Sequence, residues 1–501
     1  MLVTKKQAIE DLKKLTSPDR VLTDEASLKF GEGYNLSYAK YFDLYPNPLP
    51  VAIVNAVSTA EISAVLKYCN KNDIYVQPRT GNSGGEALNE IYNDSTIVLD
   101  GSMMDEIIKI DEYNMTVTAQ CGVPLERLEN LLREKGLTTG HGPQSLPMAD
   151  MGGLAATRSI GQFSTYYGGI EDLLTGLEAV LPNGEIIRIR NVPRRSAGPD
   201  LRQIFIGSEG AFAYITEVSV KIFKYYPDDM WMGGYKMKNM KEGLHALRDI
   251  ITAGWRPSVV RLYDKSDMDH NFGSVKMKDD EAFMFFVTEG PADLARVTGE
   301  NIHKMALERG GEFIGDEAVK HWMEHRNDLC KKYGDPVTAA KRRETHLMYF
   351  TTEISASWSD IEKIYDDVME TVPKEIPNLV MLGGHVSHSY QNGTNIYFVH
   401  TLKMSSPEAA DAEHRATIDS ICRCVLKQPT GGCVHHHGMG KRRVKFAKAE
   451  HGTSYPLIIG LKDIIDPRYI MSPGVLVRER SDSSLQSLLN FEAVNENIPE
   501  D

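Results

Sequence analysis

Hydrophobic positions along the chain switch between a period of two and a period near 3.6, and the switches mark out strands and helices. MLVTKKQAIEDLKKL reads as a charged amphipathic helix, and the proline-bearing stretch GEGYNLSYAKYFDLYPNPLP as an extended lead-in. VAIVNAV predicts a strand. STAEISAVLKYCNKN predicts a helix capped by Ser58 or Thr59, with Ile62, Val65 and Leu66 on its apolar face. The strand IYVQPR then runs into TGNSGGEALN and STIVLD is the next buried strand, a β-α-β pattern with a glycine-rich turn after its second strand. MTVTAQCG alternates as a strand, and PLERLENLLREKG puts Pro124 at the first helical position and Gly136 just past the end. Asn183-Gly184 between LLTGLEAVLP and EIIRIR predicts a hairpin.

This patterning predicts an α+β protein in several parts. An N-terminal helix and lead-in (1–44) precede a two-part α+β unit (45–225). A second α+β unit (226–430) mixes helices such as MKEGLHALRDIITAG with strands such as EAFMFFVTEG and TNIYFVHTL, the pattern of an antiparallel sheet. A helical C-terminal segment (431–480) returns to the first unit, and an acidic tail (481–501) follows. A length of 501 residues requires more than one core.

Composition narrows the function classes. The apolar fraction of 42% and charged fraction of 25% exclude a disordered chain. A net charge of -13 argues against nucleic-acid binding, which needs a positive footprint. No run of about 18 apolar residues occurs, and the charged N-terminus lacks the apolar core of a signal peptide, so a soluble cytoplasmic protein is expected. Six cysteines are too few for a disulfide scaffold, and Cys422, Cys424 and Cys433 lack the tight spacing of a cluster site; no metal is expected.

Candidate chemistry concentrates in a few strings. Pro78-Arg79-Thr80-Gly81-Asn82-Ser83-Gly84 is a glycine-rich turn after a buried strand, able to point backbone N–H groups at a pyrophosphate or to serve as a plain turn. Gly140 to Ser145, with Gly152, Gly153, Thr157 and Ser159, and then Ile206 to Phe212, combine small and hydroxyl residues in irregular stretches suited to wrapping a ligand. His435-His436-His437 between glycines could bind metal, lie on the surface, or move protons near neutral pH; consecutive side chains cannot all face one ion, which favours the last. Arg261 in VVRLYD is either a buried carboxylate partner or a clamp for an anionic substrate. Tyr390 is either an ordinary strand residue or a proton donor, and Lys341-Arg342-Arg343 reads as a solvated charge run.

Taken in order, PRTGNSGG, GHGPQSLPMADMGGLAATRS, YYGGIEDLLTGLEAVLPNGE and FIGSEGAFAYITEVSVKI resemble the FAD-binding domain of the vanillyl-alcohol oxidase superfamily, the p-cresol methylhydroxylase (PCMH) type. RRSAGPDLRQIFIGSEG, PSVVRLYD, SHSYQNGTNIYF and GGCVHHHGMGKRR resemble alkyldihydroxyacetonephosphate synthase and its bacterial relatives. The resemblance implies a PCMH-type FAD domain over 45–225 and a substrate cap over 226–430. It implies FAD contacts from residues 78–84, from Pro143, Gln144, Ser145, Met148, Gly152, Gly153, Thr157 and Ser159, and from Glu209, Gly210, Ala211 and Ile215. FAD is expected to be noncovalent, since the pyrophosphate loop holds neither His nor Cys. Tyr390, His435, His436, His437 and Arg261 are the implied catalytic set.

The activity implied is flavin-dependent oxidation of a CH–OH group in a small, anionic hydroxyacid or alcohol. The alternatives are an ether-forming transferase that uses a flavin adduct, which His385 and the lack of phosphate-binding cations disfavour, and a non-catalytic flavin binder. A homodimer is expected, and no motif specifies the electron acceptor.

Overall fold

The computed structural model describes residues 1–31, 42, 48–91, 93–272, 275–331 and 335–477. Most of the expected lead-in and the whole acidic tail lie outside these residues. Strands β1 (Val21–Leu22), β2 (Ile53–Asn55), β3 (Tyr75–Arg79) and β4 (Thr96–Asp100) form a sheet ordered β1-β2-β4-β3, with β4 parallel to both of its neighbours. Parallel strands need a crossover, and helix Thr59–Asn72 supplies it between β2 and β3. The Ser58 hydroxyl caps that helix by accepting the Glu61 amide at 3.3 Å, and Ile62, Val65 and Leu66 face the core.

β5 (Ile107–Asp111), β6 (Thr116–Gln120), β7 (Leu137–Thr138), β8 (Leu174–Val180), β9 (Ile186–Ile189), β10 (Tyr214–Lys221) and β11 (Phe223–Lys224) follow. They build an antiparallel sheet ordered β5-β6-β10-β8-β9 and a two-stranded ribbon of β7 with β11. The Asn183-Gly184 hairpin joins β8 to β9, with Gly184 at φ +88°. The Tyr214 hydroxyl donates to the Arg79 carbonyl at 2.7 Å, which fastens the two sheets where β3 ends in the glycine-rich turn.

The second unit is one sheet of β12 (Trp231–Met237), β13 (Val259–Tyr263), β14 (Ala282–Thr288), β15 (Glu312–Gly315), β16 (Leu347–Ser357), β17 (Leu379–Val386), β18 (Ser389–Tyr390) and β19 (Gly393–Lys403). Its order is β15-β12-β14-β13-β17-β19-β16, with β18 on β19, and the pairs are antiparallel. This is a repeat. β12, β13, β14 and β15, with helices Met240–Thr252 and Ala292–Glu308, form one β-α-β-β-α-β unit, and β16, β17 and β19, with helices Ile361–Glu375 and Ala410–Leu426, begin a second. In the first unit the fourth strand pairs with the first. In the second, Gly432 takes that place by a single bridge to Ser355 on β16. The histidine triplet therefore begins where a fourth strand is cut short.

Alternation decides what this sheet presents on each face. Val260, Leu262, Ile396 and Phe398 pack in the helix-covered core, so Arg261 and Tyr397 point the other way. The chain then returns to the first unit: Lys462 donates to the Ala211 carbonyl at 2.7 Å, and Met471 bridges Val76 beside β3.

The fold is α+β, with antiparallel sheets beside the mixed sheet of β1 to β4, as the patterning implied. Two local expectations change. Pro124 lies one residue before its helix, which runs Leu125–Arg133. The VHHHGMG stretch is irregular rather than helical, and helices resume only at Ala447–His451 and Tyr455–Ile465. The six cysteines are buried and free, as core thiols. Among the described residues no helix is long and apolar enough to cross a membrane.

Candidate active site

A cavity of about 660 Å³ lies between the glycine-rich loops and the open face of the second sheet. Residues 78–84, 143–145, 152, 153, 157, 159, 209, 210 and 215 line it, as do Arg261, His436 and His437. Met148 and Ala211 do not: Ala211 is wholly buried in the hydrophobic core, and Met148 presents only its carbonyl, behind Gly81. Tyr390 and His435 also lie behind the lining.

The loop after β3 is shaped by what cannot fit there. A Cβ on Gly81 would overlap the Met148 carbonyl oxygen and sit 2.8 Å from the Asp150 amide nitrogen, so only glycine is tolerated. Asn82 takes a left-handed φ of +57°, and its side-chain carbonyl accepts the Asn89 amide at 2.7 Å. Arg79 pairs with Asp100 at 2.6 Å, so its charge is already spoken for. Burial, with help from Asp100 and Asp105, pushes the Asp150 carboxyl up to about 7.

The histidine triplet is held from below by one carboxylate. A single oxygen of Glu353, buried on β16, accepts the backbone amides of His435, His436 and His437 at 3.2, 3.1 and 2.9 Å. Its other oxygen pairs with His437 Nδ1 at 2.9 Å and Arg443 at 2.7 Å. Arg443, also buried, reaches Glu86 at 2.8 Å. Burial alone would raise Glu353, yet Arg443 and His437 hold it well below the usual carboxylate range. Burial alone would lower His437, yet Glu353 raises it overall. This is a carboxylate-oriented imidazole, the arrangement that positions a general base.

The other two rings turn away from Glu353. Burial pushes His435 down to about 4, and burial followed by neighbouring imidazoles takes His436 and His388 well below the usual range. His435 is hydrogen-bonded to the Tyr390 hydroxyl at 2.7 Å and His436 to the Tyr397 hydroxyl at 2.6 Å.

Arg261 is 5% exposed, and its guanidinium stacks 4.9 Å from the centre of the Trp322 ring. Its Nε has no hydrogen-bond partner. No ion pair forms at Arg261 among the described residues. Beside it His385 is sandwiched between Tyr263 and Tyr397 at 4.8 and 4.7 Å and is hydrogen-bonded to the buried Asp267.

Sequence reasoning did not find Glu353, Arg443, Asp267 or Tyr397. Glu353 left a signal, an acid at an inward position of the apolar strand TTEISAS. Arg443 stood at the end of the string GGCVHHHGMGKRR with no role assigned to it. Arg342, read with its neighbours as solvated, lines the cavity.

Residues 50–190 match the family model described as FAD binding domain, and residues 227–476 the one described as FAD linked oxidases, C-terminal domain. The protein named "Uncharacterized FAD-linked oxidoreductase YgcU" of Escherichia coli (strain K12) is 45% identical over 95% of this chain and 99% of its own length. The chain belongs to the FAD-linked oxidoreductase family. Within that family, D-lactate dehydrogenase [cytochrome] 1, mitochondrial, of Saccharomyces cerevisiae is 24% identical over 94% of this chain and 80% of its own. A solved structure of alkyldihydroxyacetonephosphate synthase superposes with a TM-score of 0.75 at 21% identity, covering 94% of this chain and 85% of that one. That likeness shows the shared fold.

The residues present fit FAD. Gly81 lets the turn after β3 pack directly on the backbone of residues 148–150, and a Cβ on Gly153 would stand 3.2 Å from Thr80 Oγ1. The Gln162 carbonyl oxygen is buried on the lining without a partner, a free acceptor for a ligand N–H group.

Proposed function

We propose that this FAD-linked oxidoreductase oxidises the CH–OH group of a small 2-hydroxyacid, and the observation carrying that reading is Arg261. A buried guanidinium is costly without an anion beside it. Here it faces the cavity with an unmade hydrogen bond, and a substrate carboxylate supplies the missing partner in the bidentate geometry that arginine favours. The yeast relative's name, a D-lactate dehydrogenase, fits such a substrate.

FAD, when bound along the glycine loops, supplies the hydride acceptor at N5. The chain's own groups do the rest. Arg261 holds the carboxylate, and the Trp322 face beneath it fixes the guanidinium plane. His437, oriented through Nδ1 by Glu353, removes the hydroxyl proton as the C–H bond breaks. Tyr390 and Tyr397 hold His435 and His436 in place. FAD binding is noncovalent in this reading. His141 is hydrogen-bonded to Ser159 at 3.2 Å and stays off the cavity lining.

An ether-forming transferase would need more cation for a phosphate. Arg342 lines the cavity, but it donates to the Leu347 carbonyl at 3.2 Å and lies over the Tyr349 ring. The test is anaerobic mixing of the yellow holoenzyme with a panel of D- and L-2-hydroxyacids. Bleaching by at least one is expected. No bleaching by any of them, with labelled fatty alcohol entering an ether product, would replace this reading with the transferase.

A further inference from the structure

We propose that Asp150, in its protonated form, donates a hydrogen bond to the diphosphate of FAD, so that the cofactor is taken up with a proton and released when that proton is lost. The inference rests on the noncovalent reading of FAD above and not on the hydroxyacid reading.

Asp150 is 7% exposed and lines the cavity. Its backbone is pinned: it bridges Pro124, and on either side the Ala149 carbonyl accepts the Leu125 amide while the Met151 amide donates to the Val123 carbonyl. The side chain stands at the N-cap position of helix Met151–Ala156, where an aspartate ordinarily accepts an amide of the first turn. It accepts none. The carboxyl lies instead against the glycine-rich turn, its carbon 2.9 Å from the place that a Cβ on Gly81 would take. Among the described residues no hydrogen bond and no ion pair reaches it.

The groups packed around Asp150 offer it no cation. Asp100 at the end of β4 and Asp105 in the loop that follows both oppose a negative charge there. Arg79, on the glycine-rich turn, is paired with Asp100 at 2.6 Å, and Asp105 is paired with Arg127 at 2.7 Å. Cys121 is pushed up by burial and then by Asp150 and Asp100, so it stays a neutral thiol. Burial first, and then the two aspartates, hold the Asp150 carboxyl up at about 7.

A buried carboxyl without a partner is costly as an anion, but as an acid it carries an O–H donor. The diphosphate of FAD is anionic and presents acceptor oxygens. A carboxylate at this wall would repel it, whereas a carboxylic acid makes the short, charge-assisted bond of an O–H to an anionic oxygen. Bound FAD therefore raises the Asp150 carboxyl further, and by linkage the protonated protein binds FAD more tightly than the ionised one. Affinity is constant below about pH 7 and falls above it, by up to about tenfold per pH unit, until the carboxyl ionises in the complex as well.

The test dilutes the FAD-loaded full chain at a series of pH values from about 6 to about 9 and reads released FAD by the recovery of its fluorescence, with circular dichroism following the fold. Wild type should lose about 10- to 100-fold in FAD affinity across the upper part of that range. Asp150→Asn keeps a donor that cannot ionise, so its affinity should not vary with pH. Asp150→Ala should bind FAD about 10- to 150-fold more weakly at the acid end, the worth of a hydrogen bond to a charged group, and also without pH dependence. Should these variants fail to fold, wild type alone decides: rebinding FAD at about pH 8 in weak buffer should take up about half a proton or more per FAD, and no uptake overturns the proposal. Release from wild type that ignores pH, or a pH dependence that Asp150→Asn retains, overturns it too. Yellow colour that stays with acid-precipitated protein would remove the noncovalent reading and this inference with it, whereas reversible binding that ignores pH would remove this inference alone.

Discussion

Replacing Glu353 by alanine removes the one carboxylate on which the triplet is built, and the cost can be worked from its partners. Three backbone amides lose their acceptor, His437 loses its orienting carboxylate, and buried Arg443 loses one of two anions. Breaking a buried pair by deleting one partner costs about 3–5 kcal/mol. Arg443 keeps Glu86 at 2.8 Å, which places the loss at the lower end, near 3 kcal/mol. Glu353→Gln keeps an acceptor for the amides but not the charge, and should cost about 2 kcal/mol. Urea unfolding followed by tryptophan fluorescence reads both, as a lower midpoint at unchanged slope. Flavin reduction, measured on the same preparations, should fall far more than stability does in Glu353→Gln, because His437 is no longer oriented. Both variants unfolding within about 0.5 kcal/mol of wild type and reducing flavin at its rate would refute the reasoning, since such values mark a surface site.

The remaining predictions concern the anion clamp and the cofactor loop. Arg261→Met should raise KM for the hydroxyacid by about 10- to 150-fold, the worth of a charge-assisted hydrogen bond, without lowering the urea midpoint, because an unpaired buried charge is removed. Gly81→Ala should yield protein that loses its yellow colour on dialysis, since the methyl overlaps the Met148 carbonyl; retention of stoichiometric FAD would contradict the loop assignment. Asp150, pushed up to about 7 against an ordinary 3.8, favours the folded state while protonated. Its contribution is complete below about pH 4 and is lost as pH rises through about 7, on the order of 4 kcal/mol at most. Asp150→Asn should therefore flatten the stability of the holoenzyme between pH 5 and pH 8, values chosen to bracket a transition at about 7; an unchanged slope would show that Asp150 is not the group responsible.

The strands and helices that position the site were legible because each carries a clean local signal. Ser58 before an apolar helical stripe, Asn183-Gly184 between apolar runs and the glycine loop after IYVQPR all act within a few residues. The triplet was legible as a string but not as a structure, because its geometry depends on Glu353, some eighty residues earlier, and on a fourth strand that ends at Gly432. His388 and Tyr397 escaped for the same reason: a strand residue declares its face only once the register of β19 against β16 and β17 is known. Ala211 and Met148 were expected among the FAD contacts because they stand in the same strings as residues that line the cavity, yet Ala211 faces the core and Met148 supplies a carbonyl.

Rapid anaerobic mixing of the holoenzyme with a 2-hydroxyacid and with its 2-deuterated form tests the central claim most directly. The account predicts that the flavin bleaches in one turnover, that deuterium slows it several-fold, and that Arg261→Met abolishes saturation at the same substrate concentrations. Bleaching that ignores deuterium, or a flavin that stays oxidised with every hydroxyacid tried, would contradict it.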